Sequence, residues 1–193
     1  MILGDAYLQK TGKQNARIRL EHSIKQREYL EWKVSLFPRY FQKKIQVLER
    51  INPVWNRKYS YVRAQSTSSP EFGKLRRLFY KDSVKIIPGT ISSIFNNSLS
   101  LAIWFMDDGY YYPRDNNSYI YIPNWDDESV KKLLFALSAN FNLLPKVKKK
   151  RKGLVLTFSV DETNKLIEQI KKLIVPSMKY KIPLGPVSTD PNS

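Results

Sequence analysis

Polar and apolar positions alternate with period two along Tyr7 to Lys10 and again along Ala16 to His22, where Arg17, Arg19 and Glu21 oppose Ile18, Leu20 and His22. With a Thr11-Gly12 turn between them, these runs predict a β-hairpin that has one charged face. From Lys25 to Phe41 the period lengthens. Tyr29, Trp32, Val34, Leu36, Phe37 and Phe41 stand among charges as on an amphipathic helix, which Pro38 would interrupt. Alternation returns at Gln46 to Glu49 and Tyr59 to Gln65; Tyr59, Tyr61, Arg63 and Gln65 share one face, Ser60, Val62 and Ala64 the other. Pro70 and Glu71 then open a helix that runs through Leu75, Leu78 and Phe79.

Lys81 to Ser98, with Pro88-Gly89 and Asn96-Asn97, has loop chemistry and divides this series from a second one. Leu99 to Met106 reads as an apolar helix, Tyr119 to Trp125 as a strand and Asp126 to Phe141 as a helix opened by acids. Val155, Leu156 and Phe158 mark another strand, and Glu162 to Leu173 a last helix with Leu166, Ile167, Ile170 and Ile174 at helical spacing. The expectation is an α+β chain built as a pseudo-twofold pair of αββαββα half-domains with antiparallel sheets, residues 1–95 and 96–193. The first half lacks most of its leading helix.

Charge narrows the partner. A formal net charge of +16 and a pI near 9.9 point to a polyanion, nucleic acid before an anionic membrane surface. No apolar run approaches the roughly 20 residues that span a bilayer, and no signal peptide opens the chain, so no membrane partner and no secretion are expected. The absence of cysteine removes disulfides, thiolate zinc sites and thiol catalysis. One histidine, His22, disfavours histidine-based nucleases and triads; it reads as a structural residue or a surface contact. Chemistry must come from carboxylates, lysines and a hard cation such as Mg²⁺.

Two stretches offer such carboxylates. Met1-Ile-Leu-Gly-Asp-Ala-Tyr-Leu8 and Leu101-Ala-Ile-Trp-Phe-Met-Asp-Asp-Gly-Tyr-Tyr111 each run an apolar helical segment into an acid beside a glycine. An acid so close to apolar surface is costly unless a cation compensates it, and two of them together would form a metal site.

These residues resemble the LAGLIDADG homing endonucleases, in particular the two-motif, single-chain branch and the subgroup typified by the mitochondrial large-rRNA intron endonuclease. The second motif, Leu101 to Gly109, carries the apolar helix, the final acid Asp108 and the glycine; the first keeps Gly4 and Asp5. Lys85-Ile-Ile-Pro88 and Met178-Lys-Tyr-Lys-Ile-Pro183 extend the likeness over nearly the whole chain. The resemblance implies motif helices packed together at the centre, saddle-shaped sheets along the major groove of double-stranded DNA, and hydrolysis by a monomer with Mg²⁺ held by Asp5 and Asp108. Gly4 and Asp107 are secondary candidates at the metal. Lys85 and Lys181 match the lysine that the subgroup keeps near each active centre, with a role in stabilising charge on the scissile phosphate.

For binding, Arg17, Arg19, Tyr59, Tyr61, Arg63 and Gln65 lie on the polar hairpin faces, and arginine and glutamine suit guanine and adenine edges. The basic run Lys146, Lys148, Lys149, Lys150, Arg151 and Lys152 is expected in a hairpin turn on phosphates. Tyr110 to Tyr112 read as packing more readily than as groove contacts. The first motif starts four residues before Asp5, where the family helix needs two or three turns; either chain lies upstream, or something else supports that acid. The rival reading keeps the fold but binds intron or ribosomal RNA, as a maturase does. Composition rich in Lys, Asn, Ile and Tyr is compatible with an organelle genome, mitochondrial or chloroplast.

Overall fold

A computed structural model describes residues 1–54, 56–150 and 153–183. The chain divides into two compact units, Ile2–Tyr80 and the portion from Lys81 onward with Met1.

The first unit opens on a turn over residues 2–5. Strands β1 (Tyr7–Lys10) and β2 (Ala16–Ser23) follow, then α1 (Arg27–Ser35), β3 (Gln46–Asn52), β4 (Arg57–Gln65) and α2 (Pro70–Phe79). They form an antiparallel sheet in the order β1-β2-β4-β3. Ile18, Leu20, Val62 and Ala64 point to the inner face beneath the two helices, as the alternation predicted. Helix α1 stops before Pro38, whose ring bars an α conformation at the preceding residue. Ser69 caps α2 through Glu71 N–H at 3.0 Å. Gly73 lets that helix press on the β1–β2 turn: a Cβ there would fall 1.6 Å from the Gln14 carbonyl oxygen.

Strands β5 (Tyr80–Lys81) and β6 (Val84–Lys85) form a short hairpin. Its two-residue turn, Asp82-Ser83, has φ of +46° and +69°. Helices α3 (Ile91–Ile94) and α4 (Ser98–Asp108) precede β7 (Gly109–Tyr112), β8 (Asn117–Ile122), α5 (Asp127–Phe141), β9 (Lys146–Lys150), β10 (Gly153–Phe158) and α6 (Val160–Ile170). The second sheet, β7-β8-β10-β9, repeats the strand order of the first.

Two expectations change, and one unassigned stretch gains an element. The segment 81–95 is structured and packs within the second unit: Asn140 Nδ2 donates to the Ser92 and Phe95 carbonyls at 2.7 and 2.8 Å. The Phe95 ring meets Trp104 and Phe141 at 5.6 and 5.0 Å. The unit boundary thus falls after Tyr80. Lys146 to Lys150, expected in a turn, form strand β9, because their backbone pairs in register with β10. Tyr110 to Tyr112 are a strand, directly continuing α4.

Candidate active site and nucleic-acid interface

The second motif is built as an apolar rod. Residues Leu101, Ala102, Ile103, Trp104, Phe105 and Met106 are all buried, so α4 is hydrophobic all round, and Asn97 starts it by accepting from Ser100 N–H at 2.9 Å. The rod ends in Asp107 and Asp108, both half-buried, and the chain leaves it at Gly109. A Cβ on Gly109 would meet the Phe105 carbonyl oxygen at 2.6 Å and its ring at 2.4 Å, so the direct passage from helix to strand requires glycine. Lys181, brought in by the 3₁₀ segment Pro176–Lys181 and anchored by buried Met178, donates to the Met106 and Asp107 carbonyls at 2.6 and 3.0 Å. Those oxygens are the negative pole of α4, where an ammonium is favourable. Lys85 is half-buried, and its carbonyl accepts from Trp125 Nε1 at 2.9 Å.

The first motif delivers its acid differently. Asp5, exposed, ends the turn at residues 2–5, between half-buried Gly4 and fully buried Ala6. Oδ2 of Asp5 lies 3.6 Å from His22 Nδ1. His22 is 6% exposed, so it is not the surface contact that composition allowed; it points inward from β2 and meets Lys33 Nζ at 3.0 Å from Nε2. Lys33 was not singled out from the sequence, yet it occupies the buried stripe of α1 with Tyr29 and Leu30. A lysine at that spacing was the available signal.

The outer face of the first sheet gathers Arg17, Arg19, Tyr59, Tyr61, Arg63 and Gln65, as expected, together with Tyr7, Gln9, Glu21, Gln46 and Arg50. Glu21 is its hub. Its carboxylate pairs with Arg63 Nε at 2.7 Å, Arg50 Nη2 at 3.1 Å and Arg19 Nε at 3.4 Å. Arg17 Nε donates to Gln9 Oε1 at 3.0 Å. Tyr61 is buried beneath the guanidinium of Arg50, 4.3 Å from the ring centroid, and serves as a platform, whereas Tyr59 stays exposed. The guanidinia are therefore held in place before any ligand arrives. Glu21 belongs to the charged face that the alternation predicted, whereas Arg50 is visible as a face member only once the register Arg50↔Tyr59 is known.

The corresponding face of the second sheet is aromatic. Tyr110 stacks on Tyr119 and Tyr121 at 5.2 and 6.1 Å, and Tyr112 meets Tyr119 edge-on at 6.5 Å. Lys150 Nζ sits 4.5 Å above the Tyr119 ring, at the β9 side where Lys146 and Lys148 share the face and Lys149 turns to the other. Arg151 and Lys152 lie outside the described residues. Desolvation, helped by neighbouring Tyr121, pushes the Tyr110 phenol up to about 12. Among the described residues no helix is long and apolar enough to cross a membrane.

Comparison with known proteins bears on this arrangement. The chain is 30% identical over 186 residues to probable intron-encoded endonuclease 1 of Wickerhamomyces canadensis, covering 94% of this chain and 80% of that one. It is 30% identical over 121 residues to the cytochrome b mRNA maturase bI2 of Debaryomyces hansenii, 58% of this chain and 42% of the maturase. Among solved structures, the homing endonuclease I-WcaI bound to its DNA recognition sequence superposes with a TM-score of 0.85 at 27% identity, covering 95% of this chain and 83% of that one. With the LAGLIDADG DNA endonuclease family matched over residues 1–166, the two acid-bearing motifs and the two four-stranded sheets have one account: the chain belongs to that family.

Proposed function

We propose that this chain is a site-specific double-strand DNA endonuclease of a mobile intron, acting as a monomer of two half-domains with Mg²⁺ bound by Asp5 and Asp108. The observation that carries the reading is the twofold placement of an acid at the start of a sheet whose outer face is arginine-rich in one unit and lysine-edged and aromatic in the other. A DNA-bound relative of the same architecture supports it.

The acids suit a hard cation. Both are carboxylates, Asp5 is open to solvent, and Asp108 ends a helix whose C-terminal dipole adds negative potential. Gly4 and Asp107 adjoin them as further oxygen donors. A bound Mg²⁺ would lower the pKa of a water and neutralise charge on the scissile phosphate. Lys181, held at the end of α4, supplies positive charge for a phosphate beside Asp108, and Lys85 does so as the second lysine of the pair. Arg17, Arg19, Arg63 and Gln65 address base edges from the first sheet, with Tyr59 and Tyr61 beside and beneath them. Lys148, Lys149, Lys150, Arg151 and Lys152 engage phosphates. An organelle is the setting consistent with intron-encoded relatives.

Selection from a randomised duplex library in Mg²⁺, comparing this chain with Asp108→Asn, tests the reading. Specific cleavage by the wild type that is lost in the variant, with binding retained, is the expected result; an Asp108→Asn protein cutting at the wild-type rate would sink the assignment. The maturase relative favours a second reading, RNA binding without cleavage. Tight RNA footprints with no duplex nicking by either protein would select it.

A further inference from the structure

Lys33 is fully buried on the inner side of α1, a position that solvates no charge by itself. Its Nζ lies 3.0 Å from His22 Nε2 and 4.6 Å from the centroid of the Tyr29 ring, which also packs against the imidazole at 5.1 Å. An ammonium has N–H donors and no acceptor, so the imidazole must present its lone pair at Nε2 and carry its proton on Nδ1. Nδ1 is the atom that faces Asp5, 3.6 Å from Oδ2. That separation is long for a hydrogen bond and short for an oriented electrostatic contact, which a small movement closes.

We infer that Lys33 and His22 form a buried relay that positions the Asp5 carboxylate, a conclusion that rests on the reading of Asp5 as a metal-binding acid. The two acids have different local settings. Asp108 is delivered by α4, an eleven-residue helix with six successive buried side chains, while Asp5 comes from a turn. The ladders align Tyr7↔Arg19 with Tyr110↔Tyr119, so His22 of the first unit corresponds to Ile122 of the second. Both are buried, at 6% and 5% exposure, and only the first can hold an acid by a proton. Ligand-orienting partners of this kind typically contribute about ten- to a hundredfold in metal affinity or activity.

Because His22 is the sole histidine, an imidazole ¹⁵N spectrum of the full chain near neutral pH, without metal or DNA, reads this residue alone. The expected spectrum is the Nδ1–H tautomer, converted to a mixture in Lys33→Met and restored in Lys33→Arg. On target duplex with Mg²⁺, Lys33→Met is expected to slow nicking of one strand about ten- to a hundredfold relative to the other, with duplex affinity unchanged. An Nε2–H tautomer in the wild type overturns the relay without any variant needing to fold. A folded Lys33→Met protein that keeps the Nδ1–H tautomer, or nicks both strands at the wild-type rate, overturns it as well. A wild type that cuts no duplex sinks the endonuclease reading instead, and the tautomer still decides whether His22 is held as described.

Discussion

At the scale of single residues, the two sheets present opposite chemistry to the same kind of surface. Glu21 holds three guanidinia on one; on the other, four tyrosines crowd together, and desolvation makes the Tyr110 phenol resist ionisation. Tyr110 is raised to about 12, chiefly by desolvation and then by Tyr121 and Tyr119, whereas tyrosine in an unfolded chain ionises near pH ~10. Below the lower value both states are neutral and the packing contributes in full. Between the two values the unfolded chain gives up a proton that the folded chain keeps, so stability falls as pH rises through that window. Alkaline unfolding followed by circular dichroism should show this loss, and Tyr110→Phe should reduce it. A variant with the same alkaline profile as the wild type would mean that Tyr110 ionises as freely in the fold as outside it.

Elements were legible to the degree that their sequence pattern was local. Strands β1, β2 and β4 follow from alternation, and α2 from Pro70 with its apolar spacing, because each buries a single face. Strand β9 was not legible: Lys-Val-Lys-Lys-Lys carries no alternation, and only pairing with β10 makes it a strand. Strand β7 was hidden for the opposite reason, since Tyr110 to Tyr112 are aromatic throughout and adjoin a helix without a turn. In the candidate site, motif wording singled out Asp108 and Lys181, and the fold brings the Lys181 ammonium to the end of the helix that carries Asp108; spacing marks Lys33 as inward-facing, but its contact with His22 joins β2 to α1, which no local pattern relates. The junction of α4 with β7 gives the sharpest element-level expectation. Gly109→Ala places a methyl within 2.6 Å of backbone oxygen, so it should cost about 1–3 kcal/mol, the range for overpacking, measured as a fall in urea midpoint. Asn97→Ala, at the other end of the same helix, should cost about 1 kcal/mol through its lost cap. If Gly109→Ala proved no worse than Asn97→Ala, the helix-to-strand junction would have slack that the distances do not suggest.

For the whole molecule, a net charge of +16 is the dominant property. If about eight phosphates are neutralised on binding, log K against log salt should fall with a slope near −7. A slope near zero in a fluorescence titration would assign affinity to apolar contact instead. The same charge shapes what the protein does when alone. Among the described residues, strand β9 is the outer strand of its sheet, with one row of backbone donors and acceptors turned away from its neighbour β10, and such an edge invites another chain to extend it. Its lysines make each approaching copy repel the next, so the strand that offers the template also guards it. That protection is electrostatic and hence conditional: shielding or modification of those ammonium groups would turn a self-avoiding surface into a nucleus for aggregation.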